Sequence, residues 1–110
     1  MDIDVTTRTD GIPDVAKEYA RDKFGSAARI FDRIGSVHVS LDQQKDGHHA
    51  RVVAHLDSGA TLVSEASSEE LRHAIEQASE KFQAQVRKEK ERLIDRHRRN
   101  GDGRNGDGGR

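Results

Sequence analysis

At 110 residues the chain has room for one domain, which buries about 60–70% of its unfolded surface and so builds one thin core. Hydrophobic residues make up 32% and charged residues 35%, the formal net charge is -1, and the lack of cysteine excludes disulfides and thiolate chemistry. No window approaches the ~20 apolar residues of a membrane span, and Met1-Asp2-Ile3-Asp4 has neither region of a signal peptide, so a soluble, cytoplasmic protein is expected.

Met1, Ile3 and Val5 alternate with Asp2, Asp4 and Thr6, which predicts a half-buried strand over about residues 1–7. Gly11 breaks the pattern, and Pro13 suits the first position of a helix, with Asp14 and Glu18 at its positive end. Ile12, Val15, Ala16, Tyr19, Ala20, Phe24 and Ala27 recur at helical spacing, so a first helix is expected from Pro13 to Ala28 with Tyr19 and Phe24 in the core. Ile30, Phe31 and Ile34 form an apolar connector closed by Gly35. Strands are then expected at about 36–42, 49–56 and 61–66, joined at Asp46-Gly47 and Asp57-Ser58-Gly59-Ala60 into an antiparallel meander. Ser67 and Glu70 read as a capping box, after which Leu71, Ala74, Ile75, Ala78, Phe82, Val86 and Leu93 predict a second helix from Ser68 to about Arg99. The order β-α-β-β-β-α gives an α+β domain over residues 1–99, with two helices on one face of a four-stranded sheet. Residues 100–110 carry no apolar side chain and are expected to form a disordered tail.

The charge is unevenly placed. Residues 1–80 hold nine basic and fifteen acidic side chains, or -6, whereas residues 81–99 hold eight and three, or +5. A local basic surface on an otherwise acidic chain points to a polyanion, most commonly nucleic acid. At 100° per residue Lys81, Lys88, Arg92, Arg96 and Arg99 share about 80° of arc, while Arg87, Lys90 and Arg98 lie elsewhere. The competing explanation is a solvated helix end whose cations complement the dipole. Lys23 falls on the apolar side of the first helix. It either snorkels past the core or joins Lys81 in one patch spanning both helices.

Among six histidines, His38 and His55 point away from the apolar side of their strands and would be neighbours on an exposed face. No histidine has a zinc-ligand spacing, and no catalytic motif is present, so neither an enzyme, a metal nor a cofactor is expected. All four aromatic residues fit the core, which leaves contact with phosphates through Lys and Arg rather than base stacking on aromatic platforms.

Several segments in fixed order resemble the ribosome hibernation-promoting factor family, also called the ribosome-associated translation inhibitor or sigma-54 modulation family. They are Arg8 after the first strand, Lys23-Phe24, the connector Ile30-Phe31-Asp32-Arg33-Ile34, Glu70 to Ile75, Lys81-Phe82, and Gln85 to Leu93. The resemblance covers about residues 1–96 and implies the β-α-β-β-β-α fold. It also implies binding to the small ribosomal subunit, where messenger and transfer RNA are excluded in stationary phase or stress. By residue match, Lys23, Lys81, Lys88, Lys90 and Arg92 would contact ribosomal RNA, together with Arg8 and Arg87. Ala84 and Ser26 stand where basic residues are frequent in the family. The chain ends without the dimerisation domain of the family's long form, so a monomer with no membrane or small-molecule partner is expected. A protein-interaction module acting as a stress or transcription regulator is the alternative, and a metal-dependent enzyme built on His38 and His55 is a third reading.

Overall fold

The computed structural model describes residues 1–102, with side chains described as far as Arg96. The element order is β1 (Asp2–Thr7), α1 (Asp14–Ala28), β2 (Ile34–Gln44), β3 (Gly47–Leu56), β4 (Thr61–Ser68) and α2 (Leu71–Asp102). This is the expected β-α-β-β-β-α arrangement. The four strands form one sheet in the order β1-β2-β3-β4. β1 pairs parallel to β2, so α1 is the crossover between them, and β2, β3 and β4 form the antiparallel meander.

Alternation along the strands turns one set of side chains inward. Val37, Val39 and Leu41 of β2, Ala50, Val52 and Ala54 of β3, and Ala66 of β4 meet Phe24, Ile75, Phe82 and Val86 of the helices. Small side chains on α2 let it lie close to the sheet: Ala74 and Ala78 are fully buried, and buried Ser64 of β4 donates its hydroxyl to the Ala78 carbonyl at 3.1 Å. The Phe24 and Phe82 rings, 6.1 Å apart and tilted by 55°, join the two helices through the core. The opposite face of the sheet is open. There the His38 and His55 rings lie 5.6 Å apart edge to face, as their alternation implied, with Asp4 bonded to His38 Nδ1.

Several boundaries differ from the sequence reading. β2 and β3 continue to a tight hairpin in which Gln44 pairs with Gly47, leaving only Lys45 and Asp46 as the loop. Gly47 has φ +140°, and a Cβ there would stand 2.6 Å from the Ser68 carbonyl oxygen, so the close approach of β4 requires glycine. The extended hairpin gives His49 a partner in Ser67 and His48 a partner in Ser68, which keeps both serines in β4. The capping box therefore does not form. α2 starts at Leu71, and the Ser68 hydroxyl instead accepts from the Glu70 amide at 3.4 Å. Val15, which recurs at the helical spacing of the apolar side of α1, is 70% exposed, because it sits on the rim of a shallow depression beside Tyr19 and Leu71. Residues 100–102, expected to begin a disordered tail, form the last turn of α2, and the rest of that tail lies outside the described residues.

Candidate nucleic-acid interface

α2 has 32 residues, about 48 Å at 1.5 Å per residue. Its first half packs on β3, β4 and α1, and its last fully buried side chain among the described residues is Val86. Beyond Val86, among the described side chains, only Glu89 and Leu93 are partly covered, so Arg87, Lys88, Lys90, Arg92 and Arg96 are exposed on a helix free of the sheet on most sides. Lys88, Arg92 and Arg96 lie on the side that Lys81 occupies further up the helix, and Lys90 is about 180° from Lys81. Four of the described cations thus share one side of the helix, while Arg87 and Lys90 lie elsewhere around its free end. The side chains of His97, Arg98 and Arg99 lie outside the described residues.

The structure separates Lys23 from Lys81. Lys81 projects toward the β4 edge, where Nζ donates to the Glu65 carbonyl oxygen at 3.0 Å, and Gln85 Nε2 donates to the Val63 carbonyl oxygen at 2.9 Å. These two side chains occupy carbonyls that an edge strand would otherwise offer to another chain. Lys23 lies on the other flank of α2, in a groove lined by Ser26, Glu76, Ser79, Glu80 and Gln83. Its amine is 5.8 Å from the centre of the Tyr19 ring, so it snorkels as the apolar surroundings of its stem require. The single two-helix patch is therefore not formed, because α1 and β4 flank opposite sides of α2. Arg8 is exposed at the end of the sheet that bears the β2–β3 hairpin, where its amide donates to the Leu41 carbonyl oxygen at 2.9 Å. That is the end away from the free part of α2, which passes the β3–β4 turn.

Neighbouring acids partly offset these cations. Arg92 pairs with Glu89 at 3.0 Å and Arg33 with Asp32 at 3.8 Å, both on the surface and each worth little to stability. In the interhelical groove, Tyr19 is half-buried rather than sealed in the core. Its hydroxyl donates to Glu76 Oε2, and Arg72 lies 5.0 Å from its ring centre. That hydroxyl bond chiefly holds the Glu76 carboxyl below its usual range. Desolvation opposes it, and the charges of Arg72 and Lys23 assist. A depressed folded-state value means the carboxylate stabilises the fold above the ordinary Glu range and loses this effect as pH falls through the depressed value. The expected outcome for Tyr19→Phe is an upward move of the Glu76 midpoint toward the ordinary range. Carboxyl-carbon NMR during a pH titration checks it, and an unchanged midpoint would refute the assigned cause.

Two residues escaped the sequence reading as contributors to this surface. Arg72 lies within the Glu70 to Ile75 segment but off the apolar period of the helix, and so carries no signal of its own. Arg33 sits in the connector and is brought beside the free end of α2 only by the fold. Among the described residues, no group of three or more His, Asp or Glu side chains is arranged to hold a metal ion, and no helix is long and apolar enough to cross a membrane.

The sigma 54 modulation protein / S30EA ribosomal protein family model matches residues 3–94. A ribosome hibernation promoting factor of Azotobacter vinelandii is 30% identical over 96 residues, covering 87% of this chain and 89% of that protein. One from Escherichia coli strain K12 is 28% identical over 93 residues, covering 84% and 97%. A ribosomal subunit interface protein from Coxiella burnetii superposes with a TM-score of 0.64 at 20% identity, over 82% of this chain and 98% of that one. The N-terminal domain of Protein Y from Thermus thermophilus gives 0.69 at 23% identity, over 80% and 98%. The two structures bear on the fold alone.

Proposed function

The chain belongs to the sigma 54 modulation protein / S30EA ribosomal protein family, and from that membership we propose that it binds the ribosome in the cytoplasm and inhibits translation without catalysis. The proposed site is the small subunit, near the decoding channel, where the bound protein would exclude messenger and transfer RNA in stress or stationary phase. The observation that carries this reading is the free half of α2, which bears exposed cations on opposite sides. A helix lodged in a cleft of folded RNA meets phosphates on both sides, whereas a helix lying on a flat surface needs only one charged face. Arg87, Lys88, Lys90 and Arg92 are the proposed contacts on the free helix. Lys81 lies at its root, Lys23 in the groove behind it, and Arg8 at the far end of the sheet. Inhibition is steric: the protein occupies space that the RNA ligands require.

The test is sedimentation of the full chain with purified small subunits across a salt series. Each phosphate neutralised contributes about -0.7 to -0.9 to the slope of log affinity against log salt. Binding at low salt that falls by orders of magnitude toward about 0.5 M is the expected result. Binding indifferent to salt, or confined to the large subunit, would overturn the proposal.

A further inference from the structure

Beside the free half of α2 lies a cleft of about 400 Å³, walled on its other side by the connector before β2 and by the β3–β4 turn. Phe31, Leu56 and Leu93 give it an apolar floor, and Arg33, Arg92 and Arg96 stand around its rim. The connector and turn form a fixed wall. The Asp57 amide donates to the Arg33 carbonyl oxygen at 2.8 Å, and the Leu56 amide to the Ala60 carbonyl oxygen at 2.9 Å. Two carboxylates, Asp57 and Glu89, also face the cleft. Glu89 is held against Arg92 at 3.0 Å with only 20% of its side chain exposed, while the Arg92 side chain remains 56% exposed.

We propose that this cleft receives one unpaired nucleotide of the RNA the protein binds, with guanine preferred, an inference that rests on the ribosome-binding reading. The volume lies at the lower end of small-ligand sites, which suits a single nucleotide. An apolar floor favours a planar face, and guanidinium planes both stack on bases and hold phosphate. The carboxylates only accept hydrogen bonds, so the edge of the base must donate. Guanine presents an adjacent N1–H and amino group, whereas uracil presents carbonyl oxygens on either side of a single N–H. An inorganic anion would leave the floor unused, and an apolar side chain would make no use of the guanidiniums at the rim.

The experiment is amide-resolved NMR of the full chain titrated with guanosine monophosphate, uridine monophosphate and inorganic phosphate. Shifts at Phe31, Arg33, Leu56 to Ala60 and Leu93 with the guanine nucleotide are expected, smaller with the uridine nucleotide and smallest with phosphate. Arg33→Ala, on the exposed connector, is expected to weaken guanosine monophosphate about tenfold, as loss of one charge-assisted bond implies. Equal shifts from phosphate, or an unchanged affinity in that variant, would overturn the cleft. If the wild-type chain fails to sediment with small subunits, the ribosomal reading falls. If it sediments and the cleft stays silent, only the nucleotide site falls.

Discussion

Phe82→Ala is expected to destabilise the domain by about 3–5 kcal/mol, a large share of the roughly 5–15 kcal/mol that holds a small domain folded. Phe82 is fully buried and is the side chain through which α2 meets Phe24 of α1 above the sheet. Truncation removes the transfer free energy of the ring and leaves a cavity that close neighbours on two helices fill only in part. Urea unfolding checks this, with a lower midpoint at an unchanged slope. Val15→Ala is the comparison, because that side chain is 70% exposed, and a cost within about 0.5 kcal/mol is expected. Similar costs for the two variants would refute the core described above.

Reversing the charges of Lys88, Lys90 and Arg92 to Glu is expected to reduce small-subunit binding by at least about 100-fold at low salt. All three side chains are exposed beyond the packed half of α2, so thermal unfolding is expected to change little. The variant removes cations from two opposite sides of the helix and places repelling carboxylates there. Lys45→Glu, in the β2–β3 hairpin and away from the free end, serves as the comparison for a single charge reversal elsewhere and should bind nearly as the wild type does. Sedimentation with small subunits measures both. Unchanged binding by the triple variant would refute the role of the free helix. Lys81 is left intact in this test because its amine is tied to the Glu65 carbonyl oxygen, and its loss would also open the β4 edge.

The pairing of β1 with β2 shows how far local pattern reaches. Alternation in Ile3 and Val5 and in Val37, Val39 and Leu41 marks two strands because side chains alternate faces whatever the strand pairs with. The family resemblance, carried by short segments in order, is confirmed by the family match over residues 3–94. Ser67 marks the limit of the same reasoning. Serine three residues before glutamate favours a helix start, but hydrogen bonds from β3 hold Ser67 in the sheet, and tertiary pairing outweighs a cap of about 1 kcal/mol. Val15 fits the apolar period of α1 equally well and is exposed, because period specifies an angle and not the presence of a neighbour.

The basic surface divides in the same way. Its existence and its place on the last helix follow from the sequence, since charge and helical phase are local properties of the chain. Which cations act together does not, because a helix angle is measured about the helix's own axis. Packing put α1 on one flank of α2 and β4 on the other, which parted Lys23 from Lys81. The same packing brought Arg33, distant in sequence, beside Arg92 and Arg96 over an apolar floor. The sequence by itself determined the elements, their order and the sign of the charged helix. Only the tertiary structure decided which side chains meet, because burial of the shared core, and no local preference, sets how the helices lie against the sheet.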